Sequence, residues 1–156
     1  MQPLSFRRVH PGDARLLLCW RNDQEARRWS RSHDEIGLED HLRWLNAVLS
    51  DPNRVLWLFL SGDEPVASVR YDIEGPSGRS AEVSILVAPH ARGHGYGPLA
   101  LAESQAELRH ARPSVKRLVA VVHRGNTASQ RLFERAGYVL EGETDACWFR
   151  FSLVLT

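Results

Sequence analysis

Val87-Ala88-Pro89-His90-Ala91-Arg92-Gly93-His94-Gly95-Tyr96-Gly97 is the stretch on which the reading of this chain turns. It stands between an apolar strand pattern over 81–88 and a helical pattern from about Gly95 to Arg109. Three alternating glycines remove every Cβ that would hold a ligand off the backbone. The helix they open turns several unpaired N–H groups, and the positive end of its dipole, toward one point. Such a turn suits phosphate or pyrophosphate. Spacing excludes two versions of it. A dinucleotide fingerprint needs glycine where Pro98 stands and an acidic residue about 20 positions on. A P-loop ends in Gly-Lys-Ser/Thr, and the only lysine is Lys116. A plain glycine-rich turn stays open as the other reading of this segment taken alone.

Outward from the turn, the pattern alternates. A short strand over 4–9 ends at Pro11-Gly12, and Asp13 is expected to cap an apolar helix over 14–20. Residues 24–30 suit another helical turn or two. Leu38, Leu42, Leu45 and Leu49 follow helical spacing. Dense apolar runs at 55–60, 65–73 and 81–88, separated by tight turns, read as strands. A strand at 117–122 follows, then a helix over 126–136 with Ala128, Leu132 and Ala136 on one stripe, then strands at 138–140 and 147–155. This order predicts an α+β fold of α/β sandwich type, with a mixed sheet of about seven strands flanked by about four helices.

Composition narrows the function classes. The 156 residues, 43% hydrophobic and 25% charged, suit one domain at a prior of about 150 residues each. A net charge of +1 argues against a bulk grip on nucleic acid or an anionic membrane. Only 27–31 is locally arginine-rich, and Asp23, Glu25, Asp34 and Glu35 flank it. With nineteen Arg to one Lys, a lysine Schiff base has almost nowhere to reside. Cys19 and Cys147 lack disulfide-framework or zinc spacing and are expected as half-buried thiols in a reducing compartment. His90 and His94 lie four apart in a loop without companion ligands, so no metal is expected. The opening residues carry no apolar leader, and the run at 55–60 is far short of the roughly 18 that span a membrane. A cytoplasmic protein with no membrane or nucleic-acid partner is expected.

A second segment changes the weight of the first. Asn126-Thr127-Ala128-Ser129-Gln130-Arg131-Leu132-Phe133-Glu134-Arg135-Ala136-Gly137-Tyr138 and the glycine turn together resemble the Gcn5-related N-acetyltransferase (GNAT) superfamily. Arg92, Gly95 and Gly97 match its Arg/Gln-x-x-Gly-x-Gly/Ala pattern. Asn126, Ser129, Leu132, Phe133, Gly137 and Tyr138 match its later helix. The resemblance covers at least residues 55–143, which it makes the acetyl-CoA-binding core of one domain over 1–156. Residues 1–53 would form mainly the acceptor side.

The resemblance implies roles. Ile85, Leu86 and Val87 would offer backbone groups to the pantetheine arm of acetyl-CoA. The amides of Gly93, His94, Gly95, Tyr96 and Gly97, with Arg92, would cradle its pyrophosphate. Asn126 would bond the pantetheine, and Ser129 and Phe133 would line the thiol end. Pro98 departs from a full cradle because it has no N–H, although the first helical turn tolerates this.

Amide formation is then direct attack of a neutral amine on the thioester. The amine loses a proton and the leaving thiolate gains one. Many relatives use a tyrosine acid where this chain has Phe133. A thiol of pKa about 8.5 lies only some 1.5 units above neutral, so that loss is worth roughly 2 kcal/mol. Deprotonating a lysine-like amine at pH 7 costs roughly 4.6 kcal/mol, and an α-amine only about 1.4. The equipment suits a weakly basic amine. Glu82 is the candidate base, sharing a strand face with Ser84 and Leu86 by alternation; a solvated or Arg-paired Glu82 is the bland alternative. Tyr138, Tyr71 and His123 are weaker proton handlers, and a water relay is also open.

On the acceptor side, Trp20, Arg21, Arg27, Arg28 and the segment His41-Leu42-Arg43-Trp44-Leu45 resemble the branch with nucleotide-linked amino-sugar acetyltransferases of pseudaminic-acid type. Guanidiniums bind diphosphates bidentately and indoles stack on rings. Ribosomal-protein N-terminal acetyltransferases share this layout. A non-catalytic acyl-CoA-binding module is the alternative of another class. Core tryptophans with solvated arginines are the structural alternative. The sequence does not fix the oligomeric state, monomer or homodimer, although the closing strands at 147–155 could leave an edge for pairing.

Overall fold

A computed structural model describes residues 3–156; Met1 and Gln2, at the start of the stretch read as lacking a leader, lie outside the described residues. Strands β1 (Leu4–Arg8), β2 (Arg54–Ser61), β3 (Glu64–Glu74), β4 (Ser80–Val87), β5 (Arg117–His123), β6 (Val139–Asp145) and β7 (Trp148–Val154) form one sheet of order β1-β2-β3-β4-β5-β7-β6. The first four pair antiparallel in succession. β4 and β5 are parallel, so the chain must cross over between them, and α4 (Tyr96–Ala111) is that crossover.

Helices α1 (Ala14–Arg21), α2 (Gln24–Arg28) and α3 (Leu38–Ser50) precede the central hairpins, and α5 (Thr127–Arg135) follows β5. Alternation divides the sheet cleanly. Val55, Trp57, Val69, Tyr71, Ala81 and Val83 are buried on one face, against α4, where the Tyr71 hydroxyl bonds Ser104 Oγ at 2.7 Å. Arg54, Arg70, Asp72, Glu82 and Ser84 belong to the other face, which α1 and α3 approach. Fully buried residues such as Leu58, Phe59 and Phe151 each contribute about 1.5–3 kcal/mol of burial.

The mixed seven-stranded sheet flanked by helices agrees with the expectation from sequence, with five α-helices among the described residues. Asp13 does not cap α1. It ends a 3₁₀ turn, and its carboxylate instead binds Arg7 at 2.8 and 2.9 Å and accepts the His10 amide. Burial on α3 falls on His41, Leu45 and Val48, while Leu42 is exposed. The stripe is rotated so that His41, though polar, turns inward from α3, where its Nδ1 meets the Arg21 guanidinium. On α5 only Phe133 is fully buried, and Ala128 and Ala136 face solvent. Both cysteines are exposed, not half-buried. β6 runs to Asp145, beyond the expected 138–140, because an edge strand exposed on both faces needs no apolar alternation.

Candidate active site

β4 stays paired with β3 as far as Val87, but its ladder to β5 covers only Ser80, Ala81 and Glu82. Beyond Glu82 the two strands part. The backbone edge of Val83, Ser84, Ile85, Leu86 and Val87 toward β5 is left without a strand partner, and unpaired strand edges recruit extended chains. The chain leaves β4 through the 3₁₀ turn Pro89–Ala91 and enters α4 through Gly93 at φ +79° and Gly95 at φ +82°. An L-side chain rarely adopts that backbone region, so both turns demand glycine. Gly95 is the N-cap residue, and the first amides of α4 follow it at the end of the open edge. His94 stacks on Tyr96, whose hydroxyl donates to Ser61 Oγ.

The opposite rim is the start of α5. Asn126 Oδ1 accepts the Ser129 amide at 3.2 Å, and Asn126 Nδ2 donates to Ser129 Oγ at 3.1 Å. Both polar ends of this side chain are therefore spent on the helix cap. Phe133 is buried and meets Tyr138 edge-on with centroids 5.0 Å apart.

α2 bridges the two rims. Its N-cap, Asp23, accepts from the Glu25 and Ala26 amides and pairs with Arg92 of the glycine turn at 2.8 Å. Burial opposes ionisation of Asp23, but Arg92 and these amides outweigh it and hold the carboxyl below its ordinary value. Past α2, Trp29 packs on His123 and against the backbone of Gly125, where an added Cβ would lie 2.8 Å from the indole. Arg92 thus ties α2 to the turn, a contact its place in a cofactor motif does not suggest.

Glu82 stands where the strands part. It faces Asp72 across the β3–β4 ladder. Burial, then the charges of Glu74 and Asp72, raise its carboxyl above the usual range against the pull of Arg70 and Arg31. Such a group is a better proton acceptor than a solvated glutamate. The other proton handlers are poorly placed. Tyr138 is buried with its hydroxyl donating to Gln105 at 2.6 Å, and burial raises it well above the ordinary tyrosine value. Tyr71 is raised likewise, chiefly by burial, on the far face. His123 Nδ1 accepts the Gly125 amide.

The expected acceptor residues divide. Trp20 is only 3% exposed and belongs to the core, because α1 turns it inward; its ring face is not available for stacking. Arg27 and Arg28 line an open cavity of 510 Å³ with Asp23, Gln24, Glu25 and His33. Arg27 spends donors on the Asn22 and His33 carbonyls, and Arg28 lies over Trp29. Arg21 instead lies over Trp44. Sequence reasoning passes over Arg70, which shares that indole. Its signal was a charged residue inside a strand between apolar Val69 and Tyr71. Among the described residues, no group of three or more His, Cys, Asp or Glu gathers at metal-binding distance, and no helix is long and apolar enough to cross a membrane.

A family model described as acetyltransferase (GNAT) domain matches residues 4–139. Among solved structures, the chain resembles an acetyltransferase from Thermus thermophilus at 26% identity and TM-score 0.84, covering 98% of this chain and 97% of that one. It also resembles the spermidine N-acetyltransferase from Vibrio cholerae in complex with CoA and spermine, at 18% identity, TM-score 0.83 and 97% and 95% coverage. AAC(6')-Ib in complex with ribostamycin and coenzyme A gives 18% identity, TM-score 0.83 and 98% and 94% coverage. No curated protein matches.

Proposed function

The chain belongs to the GNAT acetyltransferase family, and from that premise we propose that it moves the acetyl group of acetyl-CoA onto the primary amine of a small anionic acceptor, a nucleotide-linked amino sugar. The observation that carries this reading is the parting of β4 from β5 beyond Glu82, with two left-handed glycines and the start of α4 at its end. An extended pantetheine arm fits along the backbone of Ile85, Leu86 and Val87. Its pyrophosphate fits the amides of Gly93, His94, Gly95, Tyr96 and Gly97, where no phosphate-binding lysine is needed. Asn126 and Ser129 would flank the arm, with Asn126 giving up part of its cap to do so, and Phe133 would stand as apolar support behind the thiol end.

In the proposed reaction the neutral amine attacks the thioester carbonyl. The C–N bond forms, the C–S bond breaks and CoA leaves as a thiolate. Glu82 takes the amine proton, directly or through water, and the thiolate is protonated on release. With Phe133 lacking a hydroxyl and Tyr138 bonded to Gln105, neither offers a ready acid, which matters little for a good leaving group.

Two solved relatives in fold are named with spermine or ribostamycin as bound amines. A polycation needs a face with free carboxylates. Here Asp72 is paired with both Arg54 and Arg70 and Glu82 is reserved for the amine proton, which favours an acceptor that carries negative charge over a polycation. The test is an acceptor screen following CoA release. UDP-linked amino sugars should be acetylated ahead of spermidine, aminoglycosides and short N-terminal peptides. Preference for the peptides would move the chain to the ribosomal-protein branch, and cofactor binding without transfer to any amine would sink the reading.

A further inference from the structure

We infer that Arg21 and Arg70, which share the indole of Trp44, form the subsite for an oxyanion, carboxylate or phosphate, that the acceptor carries a few bonds from its amine. The guanidinium carbons lie 4.2 Å (Arg21) and 5.4 Å (Arg70) from the ring centroid. Two like charges on one ring repel. Arg21 has no carboxylate partner among the described residues; its one side-chain hydrogen bond is to His41 Nδ1, at 3.1 Å. Arg70 places Nε on Asp72, a carboxylate already shared with Arg54, and Nη2 lies 3.4 Å from Ser84 Oγ. Each guanidinium has five donors in a planar fork, and most of these have no hydrogen-bond partner among the described residues. Burial, then the charge of Arg70, depresses the Arg21 pKa. An oxyanion between the forks removes the repulsion and fills the donors.

Arg21 is also held in place. His41, on the inner side of α3, is fully buried and stacks on Trp44. Because its Nδ1 accepts from Arg21, the ring must be neutral, with its proton on Nε2. The Nε2 atom lies toward the Ala14 backbone without a hydrogen bond of normal geometry. His41 is therefore a positioning residue for the Arg21 fork. The arginines of α2 lack such a frame, since Arg27 is committed to its own loop.

Register sets the spacing. Arg70 faces Ser84, and Glu82 faces Asp72, so Arg70 and Glu82 are diagonal neighbours, a relation of roughly 7–8 Å between backbones. An amine at Glu82 and an oxyanion at Arg70 then belong to one compact molecule, and the indole offers its sugar or side chain a flat wall. This inference rests on the proposed acetyl transfer for its amine and on the arginine geometry for its anion.

The test runs transfer and equilibrium binding side by side. Glucosamine is paired with glucosamine 1-phosphate, which probes phosphate, and alaninamide with alanine, which probes carboxylate. The anionic member of at least one pair should be preferred by about 30-fold or more, in kcat/KM and in affinity for the CoA-loaded protein. That preference should fall to within about threefold in Arg21→Gln and, separately, in Arg70→Gln. Arg21→Lys, which keeps charge but loses the fork, should retain only part of it. No preference in either pair, or one that survives both glutamine variants with native melting curves, overturns the inference. Anion-selective binding without transfer upholds the subsite and overturns the proposed acetyl transfer; transfer without anion selectivity overturns the subsite, and with it the anionic acceptor, and leaves acetyl transfer standing.

Discussion

The two sides of the sheet opening use different materials. On the proposed donor side the groups are backbone: the free edge over residues 83–87, two glycines at positive φ and the start of α4. On the proposed acceptor side they are side chains of the sheet face toward α1 and α3, with Arg21, Trp44, Arg70, Asp72 and Glu82 drawn from α1, α3, β3 and β4. A backbone site depends on chain conformation, and glycine spacing writes that conformation into one short segment. A side-chain site depends on which faces of several elements happen to meet. The first tolerates much sequence change around it, whereas the second can be retuned by single substitutions.

Substitutions at three positions probe this contrast, from the largest effect to the smallest. Glu82→Gln should lower kcat by about 10²–10⁴-fold if the carboxylate is the base. The wild-type rate should climb with pH as the raised Glu82 carboxyl ionises, and the variant should lose that limb. The stability effect has the opposite sign. A carboxyl raised above its unfolded value of 4.5 favours folding most below that value, and this contribution is lost as pH rises through the folded pKa. At neutral pH the variant should therefore melt no lower than wild type. An unchanged pH–rate profile removes Glu82 as the base.

Gly95→Glu should weaken acetyl-CoA binding by about 100-fold or more in calorimetry, since it sets a carboxylate and backbone strain where phosphate is expected. Gly95→Asn, whose side chain tolerates the left-handed region, should lose much less. Equal losses would assign the effect to space or strain, and retained affinity in Gly95→Glu would break the pyrophosphate assignment.

The acceptor side is probed by His41→Phe, which should raise the acceptor KM by about tenfold with kcat nearly unchanged, while His41→Asn, still an acceptor for Arg21, recovers part of it. Burial, then Arg21, holds the His41 pKa below 6.5. A depressed histidine contributes stability that is complete above 6.5 and lost as pH falls toward the folded value. Wild type should accordingly lose melting temperature and acceptor affinity together over that fall, and His41→Asn should lose neither. Parallel behaviour of the two proteins would leave His41 as core packing alone.

Much of the fold was legible because its signals are local. The apolar runs of β2 to β5, the helical pattern that becomes α4 and the helix after β5 all follow from nearest-neighbour periodicity. Errors arose where tertiary packing overrode that pattern. Asp13 serves Arg7 on β1 instead of α1. Leu42 yields its expected burial to His41. Trp20 and Trp44 look alike in sequence, yet α1 buries one while α3 leaves the other against two guanidiniums. No local rule tells which indole faces the core.

The sequence by itself determined the order of elements, the family and the glycine-built turn, since conformation at Gly93 and Gly95 and the caps of the helices depend on residues a few positions apart. Only the tertiary structure decided where β4 leaves β5, that Arg92 turns to Asp23, and that Arg21 and Arg70 converge on Trp44. Those features join residues tens of positions apart. Their geometry is set by strand register and helix rotation, which only the packed core specifies.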